Sequence, residues 1–138
     1  MNKKISVNEK NLLLKILNES GSKTTDLTTF FDTILKIILE DMKFDNGSIY
    51  LLDNTKQNAI LQHHINTPEK IIRRYQIIPI KEERFVKIFK RGELVIIDDY
   101  PSDGIDKDID LMSIAAIPLF LGDTVIGSIV IGNRKQYT

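Results

Sequence analysis

Three groups of residues in this chain have the types and spacing that could carry chemistry. His63 and His64 are its two histidines. Neighbours along a strand point to opposite faces, so the pair cannot share one metal ion in a regular strand. One of them alone could serve as an axial ligand to haem iron; otherwise one faces solvent and the other is hydrogen-bonded in or near a pocket. The second group is acidic: Asp98, Asp99, Asp103, Asp106, Asp108 and Asp110. The alternation of Asp106, Asp108 and Asp110 imitates the start of a calcium loop. Leu111, however, stands where the turn glycine is required, and Ile117 where the bidentate glutamate belongs. This is a solvated loop or a lid over a pocket able to hold a cation weakly, not an EF-hand. The third is Gly127-Ser128, where the serine lies inside an apolar strand and reads as a small packing residue. No Gly-x-Ser-x-Gly elbow, His-Glu-x-x-His pair, phosphate loop or dinucleotide glycine pattern is present. Asp98 or Asp99 together with His64 is the pairing an enzyme reading would have to use.

Composition narrows the field further. The chain has 138 residues, 42% hydrophobic and 28% charged, enough for one domain with a real core. Nineteen basic and nineteen acidic side chains cancel, which gives no electrostatic reason to expect nucleic acid or an anionic membrane as partner. There is no cysteine, so disulfides, thiolate metal sites, cysteine nucleophiles and thioether-linked chromophores are excluded. That usage fits a reducing cytoplasm. Met1-Asn2-Lys3-Lys4 is basic, but no apolar core of a signal peptide follows it, and no run approaches the roughly 20 apolar residues of a membrane span. Cytoplasmic location without membrane insertion is the expectation.

The elements that must position these groups can be read from periodicity. Ser6-Val7-Asn8-Glu9 has capping-box spacing and opens a helix through Leu12, Leu13, Ile16 and Leu17, closed by Gly21. Thr24-Thr25-Asp26 caps a longer helix in which Leu27, Phe31, Ile34, Ile38 and Met42 keep helical spacing and Phe30, Leu35 and Ile37 widen the apolar arc. Asn46-Gly47 is expected to turn the chain into a strand, Ser48–Asp53. A polar hairpin loop over 53–58 leads to a second strand, Ala59–Ile65. Pro68 starts a short helix, Glu69–Gln76. Ile77–Ile80, interrupted by Pro79, belongs at a sheet edge. Glu82–Arg91 is helical and ended by Gly92, Leu94–Ile97 is a strand, and the acidic loop follows. Ser113–Gly132 then forms two strands about a Gly122-Asp123 turn. Ile114 to Ile117 and Ile129 to Ile131 run apolar without alternation, so this ribbon needs cover on both faces. The fold class is α+β: a central, mostly antiparallel sheet of five to six strands with helices on both faces.

Four segments in this order resemble a GAF domain. They are Gly47-Ser48-Ile49-Tyr50-Leu51-Leu52-Asp53, Arg91-Gly92-Glu93-Leu94-Val95-Ile96-Ile97-Asp98-Asp99, Ser113-Ile114-Ala115-Ala116-Ile117-Pro118-Leu119 and Val125-Ile126-Gly127-Ser128-Ile129-Val130-Ile131. The resemblance covers residues 26–132 as a core, with 1–22 as an N-terminal helical extension. It implies a GAF/PAS-like sensory or regulatory module of a signalling protein such as a sensor histidine kinase. The family's closing helix has no counterpart before Gln136-Tyr137-Thr138, so the expectation is one domain of a longer protein. The resemblance implies a pocket on the sheet face opposite the terminal helices, roofed by residues 69–91 and the acidic loop. Tyr50, His64, Tyr75, Phe85, Asp98 and Ser113 are its candidate ligand-binding residues. The ligand and any cofactor are unknown at this stage. The family's methionine sulfoxide reductases need cysteines, and its cyclic-nucleotide set cannot be placed here; no catalytic residue is expected. Expected partners are a small molecule, a second copy through the N-terminal helices, and an output domain. A ligand-free dimerisation scaffold and a haem-binding redox or gas sensor stand as alternatives.

Overall fold

The computed structural model describes residues 24–97 and 113–134. The helix expected over 6–20 and the acidic loop lie outside them. Helix α1, Thr24–Met42, is followed by strands β1 (Asn46–Leu52) and β2 (Asn58–Ile65), helix α2 (Glu69–Arg74), strand β3 (Ile77–Pro79), helix α3 (Glu83–Phe89), and strands β4 (Val95–Ile97), β5 (Ser113–Leu121) and β6 (Thr124–Asn133). The six strands form one sheet in the order β3-β2-β1-β6-β5-β4, with every pairing antiparallel. The last ribbon lies inside the sheet, as its unbroken apolar runs require: β6 pairs with β1 on one side and β5 on the other. The interrupted strand β3 is an edge.

Each face of the sheet carries its own core. On one, Phe31, Leu35 and Leu39 of α1 pack on Ile49, Ala115, Ile129 and Ile131. On the other, Phe89 of α3 joins Tyr50, Ala59, Ile78 and Ile80, with Tyr75, Phe85 and Ile88 against them. Strand β1 serves both, because successive side chains alternate: Ile49 and Leu51 meet α1, Ser48 and Tyr50 the other side. The α1 spine is Phe31, Leu35 and Leu39, whereas Ile37 and Met42 are exposed. His63 of β2 ties α1 to the sheet, its Nε2 lying 2.9 Å from Asp32 Oδ1, while Lys36 Nζ is 2.7 Å from Asp32 Oδ2.

One expected boundary is wrong. Asn46-Gly47 is not the turn but the start of β1, paired with Gly132 and Ile131 of β6. The reversal falls earlier, at Lys43 (φ 59°), where Phe44 N–H donates to Leu39 O. Gly47 serves packing instead: a Cβ there would lie 2.9 Å from Leu35 Cδ1. Gly92 does end α3, with φ 64°, and the Glu93 N–H closes the last turn on Lys87 O.

Candidate functional site

On the face away from α1, the sheet, α2 and α3 bound a partly open cavity of about 120 Å³. Strand β1 contributes Asn46, Ser48 and Tyr50 to its floor, and Ala116 of β5 and Val130 of β6 continue that floor. Ile71 of α2 and Arg84, Phe85, Ile88 and Phe89 of α3 form the roof. The aromatic wall is held edge-on: the Tyr50 and Phe89 ring centroids are 6.2 Å apart, and those of Tyr75 and Phe85 6.1 Å.

The polar groups around this space are already engaged. The Tyr50 hydroxyl donates to Tyr75 O at 2.7 Å. Burial, with a smaller push from Tyr75, drives the Tyr50 phenol well above its ordinary value, so it is neutral throughout the physiological range. The Thr67 hydroxyl donates to Gly47 O at 2.9 Å and lies 3.2 Å from Ser48 Oγ. Arg84 stacks 4.5 Å over the Phe85 ring, donates from Nη2 to the Tyr75 hydroxyl at 3.2 Å, and holds Glu82 Oε2 3.0 Å from Nε. Burial pulls the guanidinium down, but its bonds to Tyr75 and Glu82 outweigh this and leave it above its ordinary value. Among the described residues, no buried side-chain nitrogen or oxygen lacks a partner.

Of the residues singled out in the sequence, Tyr50, Tyr75 and Phe85 stand together in the cavity wall. His64 is exposed on β2 and Ser113 opens β5; neither is among the lining residues. Asp98 lies outside the described residues. No histidine lines the cavity, so these residues offer haem iron no imidazole ligand and do not fit the haem reading. Among the described residues no group of three His, Cys, Asp or Glu side chains could hold a metal ion. Ser128 is fully buried, with its hydroxyl donating to Ile117 O at 3.0 Å. Sequence reasoning missed Ser48, Thr67 and Arg84. For Ser48 a signal existed: it stands two positions before Tyr50, on the same face of the strand.

A family model described as GAF domain matches residues 24–138. This chain belongs to the GAF domain family. Solved structures agree on the fold. A GAF domain of an Acinetobacter phosphoenolpyruvate-protein phosphotransferase is 21% identical with a TM-score of 0.64, over 96% of this chain and 80% of that one. A GAF domain region from a Geobacter sulfurreducens protein described as a membrane protein is 20% identical, with a TM-score of 0.67, over 85% and 82%. A domain from a Sinorhizobium meliloti protein described as a two-component sensor histidine kinase is 12% identical, with a TM-score of 0.59, over 80% and 76%. At these identities the likeness concerns the fold of the GAF domain and not its ligand. Among curated proteins there is no significant match. No helix among the described residues is long and apolar enough to cross a membrane.

Proposed function

We propose that this GAF domain is a non-enzymatic regulatory module that binds a small molecule between its sheet and the α2–α3 roof. Ligand state would then pass through the sheet to α1 and on to an output domain of a signalling protein. The observation that carries this reading is the apolar cavity, whose floor includes Ser48 and Tyr50 while Ile49 between them packs against α1. Apolar enclosure with a few placed polar groups is what small-molecule sites share. A ligand shifts an equilibrium only by its differential affinity, so the roof must be able to take two arrangements. Native mass spectrometry of the purified protein, followed by a thermal-shift screen of metabolites, tests this. A retained molecule or a saturable rise in Tm supports the proposal, and a chain that retains nothing and responds to nothing in the panel removes it.

The ligand-free scaffold has one observation in its favour. Ile37 is 61% exposed on α1, and Phe30 and Ile34 continue the same stripe at i, i+4, i+7 spacing. We propose that this stripe packs against its counterpart in a second copy. Sedimentation at micromolar concentration distinguishes the outcomes: a dimer dispersed by Ile37→Glu supports the interface, and a monomer throughout removes it.

A further inference from the structure

The hydrogen bonds around the cavity assign donor and acceptor roles, and with them the chemistry of a ligand. The single Thr67 hydroxyl hydrogen is committed to Gly47 O at 2.9 Å. The 3.2 Å contact between Ser48 Oγ and Thr67 Oγ1 therefore uses the Ser48 hydrogen. Ser48, 4% exposed in the cavity floor, is left with lone pairs and no hydrogen to give. Tyr50 is in the same state, its hydrogen committed to Tyr75 O. The floor can therefore accept a hydrogen bond but not donate one from these hydroxyls.

Charge is handled separately. Arg84 at the roof already carries Glu82 as counter-ion at 3.0 Å and stacks on Phe85. With Glu82 already neutralising Arg84, a ligand carboxylate would gain less there than at a bare guanidinium and would have to shed its own water against Ile71, Ile78, Ile88 and Val130. Size sets the scale of the buried part only, because the pocket is open on one side: its volume of about 120 Å³ is somewhat below the roughly 150 Å³ of an apolar cavity that takes up benzene.

We infer that this cavity selects an uncharged molecule whose buried part is a compact, mainly hydrocarbon group of about five to eight non-hydrogen atoms carrying one hydrogen-bond donor, such as a small alcohol or phenol. The inference rests on the cavity being the ligand site. The donor bonds Ser48 Oγ, and the hydrocarbon body fills the space between Ala116, Val130 and Ile88. Molecules this small bind with dissociation constants of about 10 μM to 1 mM. Carboxylate metabolites are discriminated against by the cost of burying their charge against the apolar wall.

Three probes of one shape test it: phenol, toluene and benzoate, titrated into methyl-labelled protein and followed by NMR. Phenol is expected to shift the methyls of Ile71, Ile78, Ile88 and Val130. Toluene, without a donor, should bind about 3- to 10-fold more weakly, and benzoate at least about 10-fold more weakly. In Ser48→Ala the preference of phenol over toluene should shrink towards about twofold, because the Ser48 acceptor is gone and only that of Tyr50 remains, while Thr67 keeps its bond to Gly47. A preference unchanged in Ser48→Ala overturns the role of that acceptor. Benzoate shifting the same methyls as readily as phenol overturns the neutral-ligand inference while leaving the cavity a ligand site. Silence of the cavity methyls to all three probes at millimolar concentration, or shifts confined to the surface, overturns both.

Discussion

Two glycines with the same residue type have different reasons to exist, and the difference is measurable. A Cβ on Gly127 would sit 2.0 Å from Tyr50 O, a backbone atom of the neighbouring central strand that cannot retreat without breaking the β1–β6 ladder. A Cβ on Gly47 would meet the ends of Leu35, Ile131 and Leu39 at 2.9, 3.2 and 3.3 Å, and side-chain ends can give. Gly127→Ala is expected to cost about 3 kcal/mol or more in urea unfolding, and Gly47→Ala about 1 kcal/mol. Equal losses would mean that the two strands are not as closely held as the geometry indicates. A carboxylate gives a second test at this scale. Hydrogen bonds from the Asn58 side chain (2.9 Å) and Thr55 hydroxyl (2.8 Å) hold Asp53 below its ordinary value of 3.8. Since the folded state binds its proton less readily, the stabilisation is present above that value and is lost as pH falls through the lower, folded one. Asp53→Asn should therefore be less stable than the parent at neutral pH, with the gap closing under acid. A gap that stays constant with pH would show that the carboxylate charge plays no part.

At the scale of elements, α1 shows what periodicity specifies and what it leaves open. Its existence follows from the spacing of Leu27, Phe31, Ile34, Ile38 and Met42, yet the buried spine is Phe31, Leu35 and Leu39. The apolar arc is so wide that several facings bury similar area, and only docking chooses among them. The choice has consequences. Leu35 is fully buried, so Leu35→Ala should cost about 2–5 kcal/mol. Ile37→Ala on the exposed side should stay within about 0.5 kcal/mol in dilute protein. A large loss at Ile37 under monomeric conditions would contradict this facing. The β5–β6 ribbon was legible because unbroken apolar runs admit no wet face. The start of β1 was not, because Asn-Gly is ordinarily turn chemistry, and only the approach of Leu35 explains a glycine inside the strand. The same divide holds at the cavity. Aromatic residues such as Tyr50, Tyr75 and Phe85 advertise themselves by size, whereas Ser48 and Thr67 matter through a contact between residues 19 apart in sequence.

Across the whole molecule, one sheet separates two cores, and β1 and β6 belong to both. Ser48 and Tyr50 line the cavity and Ile49 lies under α1; Val130 faces the cavity and Ile129 lies under α1. Anything that stiffens the floor of the cavity must therefore act on the seat of α1, whereas the short edge strands β3 and β4 touch the cavity through Ile78, Val95 and Ile97 but place none of these in the core under α1. Hydrogen exchange can read this directly. Amides of β1, β6 and α1 that exchange only through global opening should gain about 2.7 kcal/mol of protection with ligand at a hundred times its dissociation constant. Amides of β3 and β4, which open locally, should gain less. Linkage makes the effect reciprocal. If α1 seating and cavity occupancy are coupled, loosening α1 from the far side of the sheet by Leu35→Ala must weaken ligand binding, although Leu35 is not among the cavity-lining residues. A Leu35→Ala protein that is folded and binds with unchanged affinity, or protection that rises only in α2 and α3, would show that the two cores share strands without exchanging information.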